Sequence, residues 1–264
     1  MDAITISPEV EKLHTEIESL RKDFLRLYTQ KDELINVERD DLEVKYTKLI
    51  GQQQYENFSL EVEVRALKMK VELAQAALNR GQQPKLLDIE EEVNRQLKQY
   101  YDQLRAQAEI IEAAQAAQTV DPYDLTEMHD LFRLLVKRLH PDLHPDLPEN
   151  MKDLFIQGQT AYRTFNMPLL REIIMRLDIE DDSKDFLHKG EESLQQIRDR
   201  LRDKVDSLKN DIDIIESSFP FNMRTNILDE DWVKAQQESR RAEHEQLEAL
   251  RRKYADRLSL ITDM

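Results

Sequence analysis

No proline interrupts the chain between Pro8 and Pro84, between Pro168 and Pro220, or after Pro220, and glycine occurs only four times in 264 residues. Proline removes a backbone donor and collides with the preceding turn, so stretches without it can stay helical over long distances. Three of the glycines, Gly51, Gly81 and Gly190, fall where a helix is expected to stop or start. The first helix is expected to begin after Ser7-Pro8, an N-cap followed by proline at the first helical position. Leu13, Ile17, Leu20, Phe24, Leu27 and Leu34 then share one face, broken at Lys31, and the stripe runs on less regularly through Leu42, Tyr46 and Leu49. Gly51 and the glutamines after it suggest a reversal into a second helix.

That second helix carries two apolar stripes. Leu60, Val64, Leu67, Val71, Ala74 and Leu78 form one, and Phe58, Val62, Met69 and Leu73 the other. Two stripes imply contacts on two sides. Gly81 suits the left-handed position past its end, with Pro84 beyond. A third helix follows on Leu86, Ile89, Val93, Leu97, Tyr100, Leu104, Ala108 and Ile111. Near the other end, Leu194, Ile197, Leu201, Val205, Leu208, Ile212 and Ile215 make an unbroken seam that halts at Phe219-Pro220. Asp229 is a natural N-cap for the last helix, whose seam is regular at Leu247, Leu250, Tyr254, Leu258 and Ile261. Upstream the same seam meets Glu243, Arg240 and Gln236, so this half is expected to be the looser one. The fold class is all-α. Residues 1–120 read as an N-terminal coiled-coil region, 121–178 as a compact helical module, and 179–264 as an antiparallel hairpin, with EDDSKD as an acidic linker before it.

Composition narrows the function classes. Charged residues make up 35% and aromatics 6%, a balance that suits helix seams more than a large compact core. A net charge of −16 repels phosphate backbones and anionic headgroups, arguing against nucleic acid and membrane surfaces as partners. The absence of cysteine rules out disulfides and thiolate metal sites and agrees with a cytoplasmic location. The start of the sequence has neither a basic opening nor an apolar core of the signal-peptide kind, and no apolar run approaches the roughly 20 residues of a membrane span. No phosphate-binding loop, dinucleotide fingerprint, zinc-protease helix or nucleophile elbow is present, so no enzyme and no cofactor are expected.

The chemistry concentrates between Leu131 and Phe165. An amphipathic helix buries Leu131, Leu135 and Leu139 with Phe132 and Val136, and turns Arg133, Lys137 and Arg138 to the other side. Asp124 through Glu127 resembles a capping box at its start. The helix ends in His140-Pro141-Asp142, and a second His144-Pro145-Asp146 follows. Two prolines so close together forbid a helix through the loop, and Pro148 suits the first turn of the next one. That next helix buries Leu154, Phe155, Ala161, Tyr162 and Phe165, and Asn166-Met167-Pro168 turns into a further short helix.

In RLLVKRLHPD followed by FIQGQTAYRTF the chain resembles the core of a J-domain, over roughly residues 121–178. The resemblance implies a co-chaperone that docks on a seventy-kilodalton heat-shock chaperone in its ATP-bound form and stimulates ATP hydrolysis. It implies His140, Pro141 and Asp142 as the docking loop, and Arg133, Lys137 and Arg138 as a positive strip facing the partner. Asp142 would present its carboxylate to an arginine of that partner, while His140 would hold the loop's shape or touch the partner itself. Three departures stand out: Leu143 where the family is usually basic, His129 and Asp130 in the upstream helix, and no family-like first helix before it. The end of the third helix is expected to fill that last gap. The alternative is a coiled-coil scaffold that keeps the J-like fold only as structure, with self-association through its coils. His140 and His144 stand four apart, but the prolines prevent the helix that would stack them on a metal. The resemblance assigns the function to the first copy, at the end of the basic helix.

Overall fold

The computed structural model describes residues 7–117, 122–177 and 191–262. The expected linker EDDSKD, His188 and Gly190 lie outside them. The described residues are helical and contain no strand. The helices are α1 (Pro8–Glu33), α2 (Arg39–Tyr46), α3 (Gln52–Asn79), α4 (Leu86–Ala116), α5 (Pro122–Leu139), α6 (Glu149–Arg163), α7 (Met167–Leu177), α8 (Glu191–Ser217), α9 (Arg224–Leu228) and α10 (Glu230–Thr262).

Helix α1 starts as the sequence implies. The Ser7 hydroxyl accepts from the Val10 backbone N–H at 3.3 Å, and Pro8 follows it. No reversal occurs at Gly51. Two π-helical turns, Leu34–Glu38 and Thr47–Gly51, join α1 to α2 and α2 to α3 without a break in the helical path. Each π turn inserts an extra residue and rotates the following face. The stripe of α1 therefore loses its regularity past Leu34. A Cβ added at Gly51 would meet the Thr47 side chain at ordinary contact distance, and the helix continues through the glycine. The true reversal is at Gly81, whose φ of 73° is the left-handed value expected there. Its N–H donates to the Leu78 carbonyl and that of Gln82 to the Ala77 carbonyl.

The chain divides into two compact units, and neither matches the expected boundaries. One is Met1–Asp40 with Thr119–Asn222, the other Asp41–Gln118 with Met223–Met264. The expected N-terminal region is thus split at Asp40 and the expected C-terminal hairpin at Asn222. Helix α8 packs on α1, and α10 packs on α3. A heptad seam specifies an apolar edge but not which other edge covers it.

The direction of these seams also differs from the antiparallel expectation. Arg198 and Arg202 both reach Glu16, and farther along Lys31 meets Asp211 at 2.6 Å, so α1 and α8 run parallel. Helices α3 and α10 are parallel as well: Gln237 donates to the Leu49 carbonyl, Asn57 to the Arg240 carbonyl, and Arg251 pairs with Glu63. Helices α3 and α4, on either side of the Gly81 turn, run antiparallel, through Lys70–Glu90 and Arg65–Tyr100 contacts. The two stripes of α3 thereby find two partners, as their pattern required.

The polar stretch of α10 is met by a specific partner. Asn57, buried on α3, donates to the Arg240 carbonyl at 2.8 Å and to the Glu243 carboxylate at 2.9 Å, and its carbonyl lies 3.0 Å from His244 Nδ1. A buried amide satisfied this way fixes register where apolar packing is thin. At the start of α10 the Asp229 carboxylate caps the backbone N–H groups of Asp231 and Trp232, as expected. The apolar segment before it is a 3₁₀ turn and α9; Phe221 is buried there and Phe219 is exposed.

In the other unit α5, α6 and α7 close around Met128, Phe132, Leu135, Val136, Leu139, Phe155, Ala161, Tyr162, Leu170, Ile173, Ile174 and Leu177. Gly158 lets α5 and α6 approach, since a Cβ there would overlap the Leu135 side chain. Helix α5 begins at Pro122, so Asp124 sits in its first turn and does not serve as a cap. Phe165 ends up at φ 52° in the α6–α7 turn and 40% exposed, not in the core.

Candidate functional site

Helix α5 delivers its last hydrogen bond from the His140 N–H to the Val136 carbonyl, 3.1 Å away, and then stops against Pro141. The Leu143 and His144 N–H groups both return to the His140 carbonyl, so the loop folds back on the end of the helix. Pro148 then stands one residue ahead of α6 in extended conformation, with Glu149 the first helical residue. The loop is rigid because its prolines and these bonds leave few backbone torsions unset.

Within the loop His140 holds the shape. Its Nδ1 accepts from the Asp142 backbone N–H at 3.1 Å, which requires that nitrogen to be unprotonated. The ring is only 7% exposed and is surrounded edge-on by Tyr28 at 4.4 Å, Phe24 at 4.8 Å and Phe155 at 5.1 Å. Burial among these rings pushes the imidazole down to about 4, so His140 is neutral at physiological pH. The nearby Asp142 carboxylate pulls in the opposite direction but does not win.

The Asp142 carboxylate, expected to meet a partner's arginine, has a cation of this chain beside it. Its carboxylate lies 3.2 Å from the Lys204 ammonium of α8, with the aspartate side chain 28% and the lysine side chain 50% exposed. Pro141 is half-buried beside it. On the preceding helix Arg133 and Lys137 are exposed, as the positive strip requires, whereas Arg138 is half-buried. Of the six expected docking residues, His140, Pro141, Asp142 and Arg138 are therefore buried or half-buried, and Arg133 and Lys137 are exposed.

The second tripeptide does a different job. His144 Nε2 lies 2.8 Å from the Lys137 carbonyl, to which it donates, and so satisfies one of the terminal acceptors of α5. Burial lowers its basicity too. Pro145 and Asp146 are exposed. One ring nitrogen of each histidine is occupied by the backbone. No group of three potential metal-ligating side chains gathers among the described residues.

Helix α1 packs against α5 and the core of α5–α7. Leu25, Tyr28 and Val37 pack on the core of α5–α7. The Arg21 guanidinium donates to the Leu143 carbonyl, and burial lowers its own basicity to about 10. Gln159 donates to the Tyr28 hydroxyl at 2.7 Å. Farther along, Glu33 lies 3.6 Å from His129 Nε2, and His129 Nδ1 is 2.9 Å from the Tyr162 hydroxyl. Asp32 is buried with Arg163 3.8 Å away, and desolvation raises its carboxyl despite that guanidinium. His129 is thus a structural link between α1, α5 and α6.

Sequence reasoning missed Phe24, Tyr28 and Lys204 as neighbours of the loop. Phe24 was visible only as a seam residue, and nothing local marks Lys204 among the many charges of α8. Compared with protein-family models, curated proteins and solved structures, the chain matches none. Among the described residues no helix is long and apolar enough to cross a membrane.

Proposed function

We propose that the protein is a non-enzymatic, cytoplasmic co-chaperone of the J-domain kind that docks on a seventy-kilodalton heat-shock chaperone and stimulates its ATP hydrolysis. The observation that carries this reading is the combination at the end of α5. An outward basic pair, Arg133 and Lys137, leads into a proline-stiffened turn in which the His140 ring fixes the Asp142 backbone. A carboxylate held on a rigid turn loses little freedom on meeting a partner cation, and the basic pair steers the acidic protein toward a negative surface. The antiparallel seating of α5 on α6 through Phe132, Phe155 and Tyr162 supports the same reading. Neither a bound cofactor nor a metal has a role in this action.

A steady-state ATPase assay with the chaperone and ATP tests it. Stimulation by the intact protein, abolished by Asp142→Asn, is the expected result.

One observation favours a second reading, a coiled-coil scaffold in which the J-like fold serves only as structure. His140 is buried and Asp142 already has a cation. Absence of stimulation by the intact protein and by variants that loosen this contact would select the scaffold, with self-association through the coils then the property to measure.

A further inference from the structure

We propose that Lys204 is an intramolecular latch: α8 places its ammonium on Asp142, in the position a docking partner's cation would take, and so keeps the loop closed until α8 lets go. This rests on the co-chaperone reading and adds a regulated state to it. Three observations carry it. Lys204 lies 3.2 Å from Asp142 although 62 positions separate them in sequence (204 − 142), so the pairing exists only because α8 packs along α1. The contact is the only ion pair among the described residues in which Asp142 takes part. And it is half-exposed, unlike the aromatic enclosure of His140, so the two restraints on the loop differ in kind.

The difference decides which restraint releases. Removing His140 from Phe24, Tyr28 and Phe155 would expose buried rings, and this part of the contact is permanent in the folded unit. The lysine–carboxylate pair, by contrast, exchanges readily with solvent, because exposed ion pairs gain little over their hydrated ions. A guanidinium approaching in a two-point geometry outcompetes a single ammonium for the same carboxylate. The loop therefore stays shaped while its charge is covered, and the covering side chain is the replaceable part.

The test uses the full chain in two measurements. In the ATPase assay, Lys204→Ala is expected to lower the concentration giving half-maximal stimulation by about two- to fivefold, which is what an exposed pair's contribution converts to. Lys204→Arg, which keeps the cation, is expected to leave it unchanged or raise it, and Lys204→Ala with Asp142→Asn to abolish stimulation. Carbodiimide labelling of the Asp142 carboxylate, followed by mass spectrometry, is measured alongside without the chaperone and is expected to quicken in Lys204→Ala. Unchanged labelling in Lys204→Ala overturns the latch whatever the ATPase result. Equal or weaker stimulation by Lys204→Ala than by a stimulating intact protein also overturns it. Faster labelling with no stimulation from either protein supports the latch as a physical contact and overturns the co-chaperone reading.

Discussion

Two copies of His-Pro-Asp lie four residues apart and have opposite surroundings. In the first, His140 is enclosed by three rings and Asp142 is held by Lys204. In the second, His144 is spent on the Lys137 carbonyl, and Pro145 and Asp146 face solvent. The tripeptide itself is the same, so the difference comes from the helix that precedes it. The first copy begins where the buried stripe of α5 ends, one residue past Leu139, and inherits that stripe's direction toward α1. The second begins after the turn and caps the helix from outside. A short motif acquires chemistry from the face it continues.

The largest effect that separates the copies is on stability. Phe24→Ala removes a ring that is 2% exposed and encloses only the first copy, and is expected to cost about 3–5 kcal/mol. Pro145→Ala in the second copy is expected to cost about 0.5 kcal/mol or less. Thermal unfolding by circular dichroism compares them, and equal losses would break the distinction.

Acid probes the first copy's histidine next. A pKa held near 4 in the fold, against an ordinary 6.5, means the unfolded chain binds more protons between those values. Stability is full above about pH 6.5 and falls as pH drops toward 4, by up to about 3 kcal/mol. Denaturant titrations across that range should show a flatter profile for His140→Gln than for the unsubstituted chain. A profile unaltered by His140→Gln would contradict the enclosure.

A smaller effect tests the seat of the cage. Gly158→Ala pushes against Leu135, loosening the α5–α6 approach that holds Phe155 on His140, and is expected to cost about 1–3 kcal/mol. Smallest is the first copy's carboxylate: Asp142→Asn loses its pair with Lys204, worth about 1 kcal/mol at most, a loss that chemical denaturation resolves.

Helix positions were legible from residues whose effect is local. Ser7-Pro8, Gly81 and Asp229 act within a turn of themselves, and each is found in its expected role. The double stripe of α3 likewise announced two neighbours. What could not be read was which neighbours. Leu201 and Val205 specify an apolar edge, and the same letters would suit α10, α1 or a second chain. The π turns escaped notice because an inserted residue leaves no compositional mark beyond the broken stripe at Lys31 and after. Gly51 misled for the opposite reason, since glycine permits a reversal without requiring one. At the site, the loop's own bonds followed from its prolines, but Phe24, Tyr28 and Lys204 reach it through distant sequence. Gly158 had no evident purpose until Leu135 was seen beside it.

The interleaved pairing of α1 with α8 and of α3 with α10 has a consequence during synthesis. When α5 and α6 have left the ribosome, α1 is present and can already lie over His140, but Lys204 has yet to be made. A nascent chain arrested before residue 191 would therefore carry the shaped loop with its carboxylate uncovered and the apolar edge of α1 bare. Completion of α8 closes both conditions together.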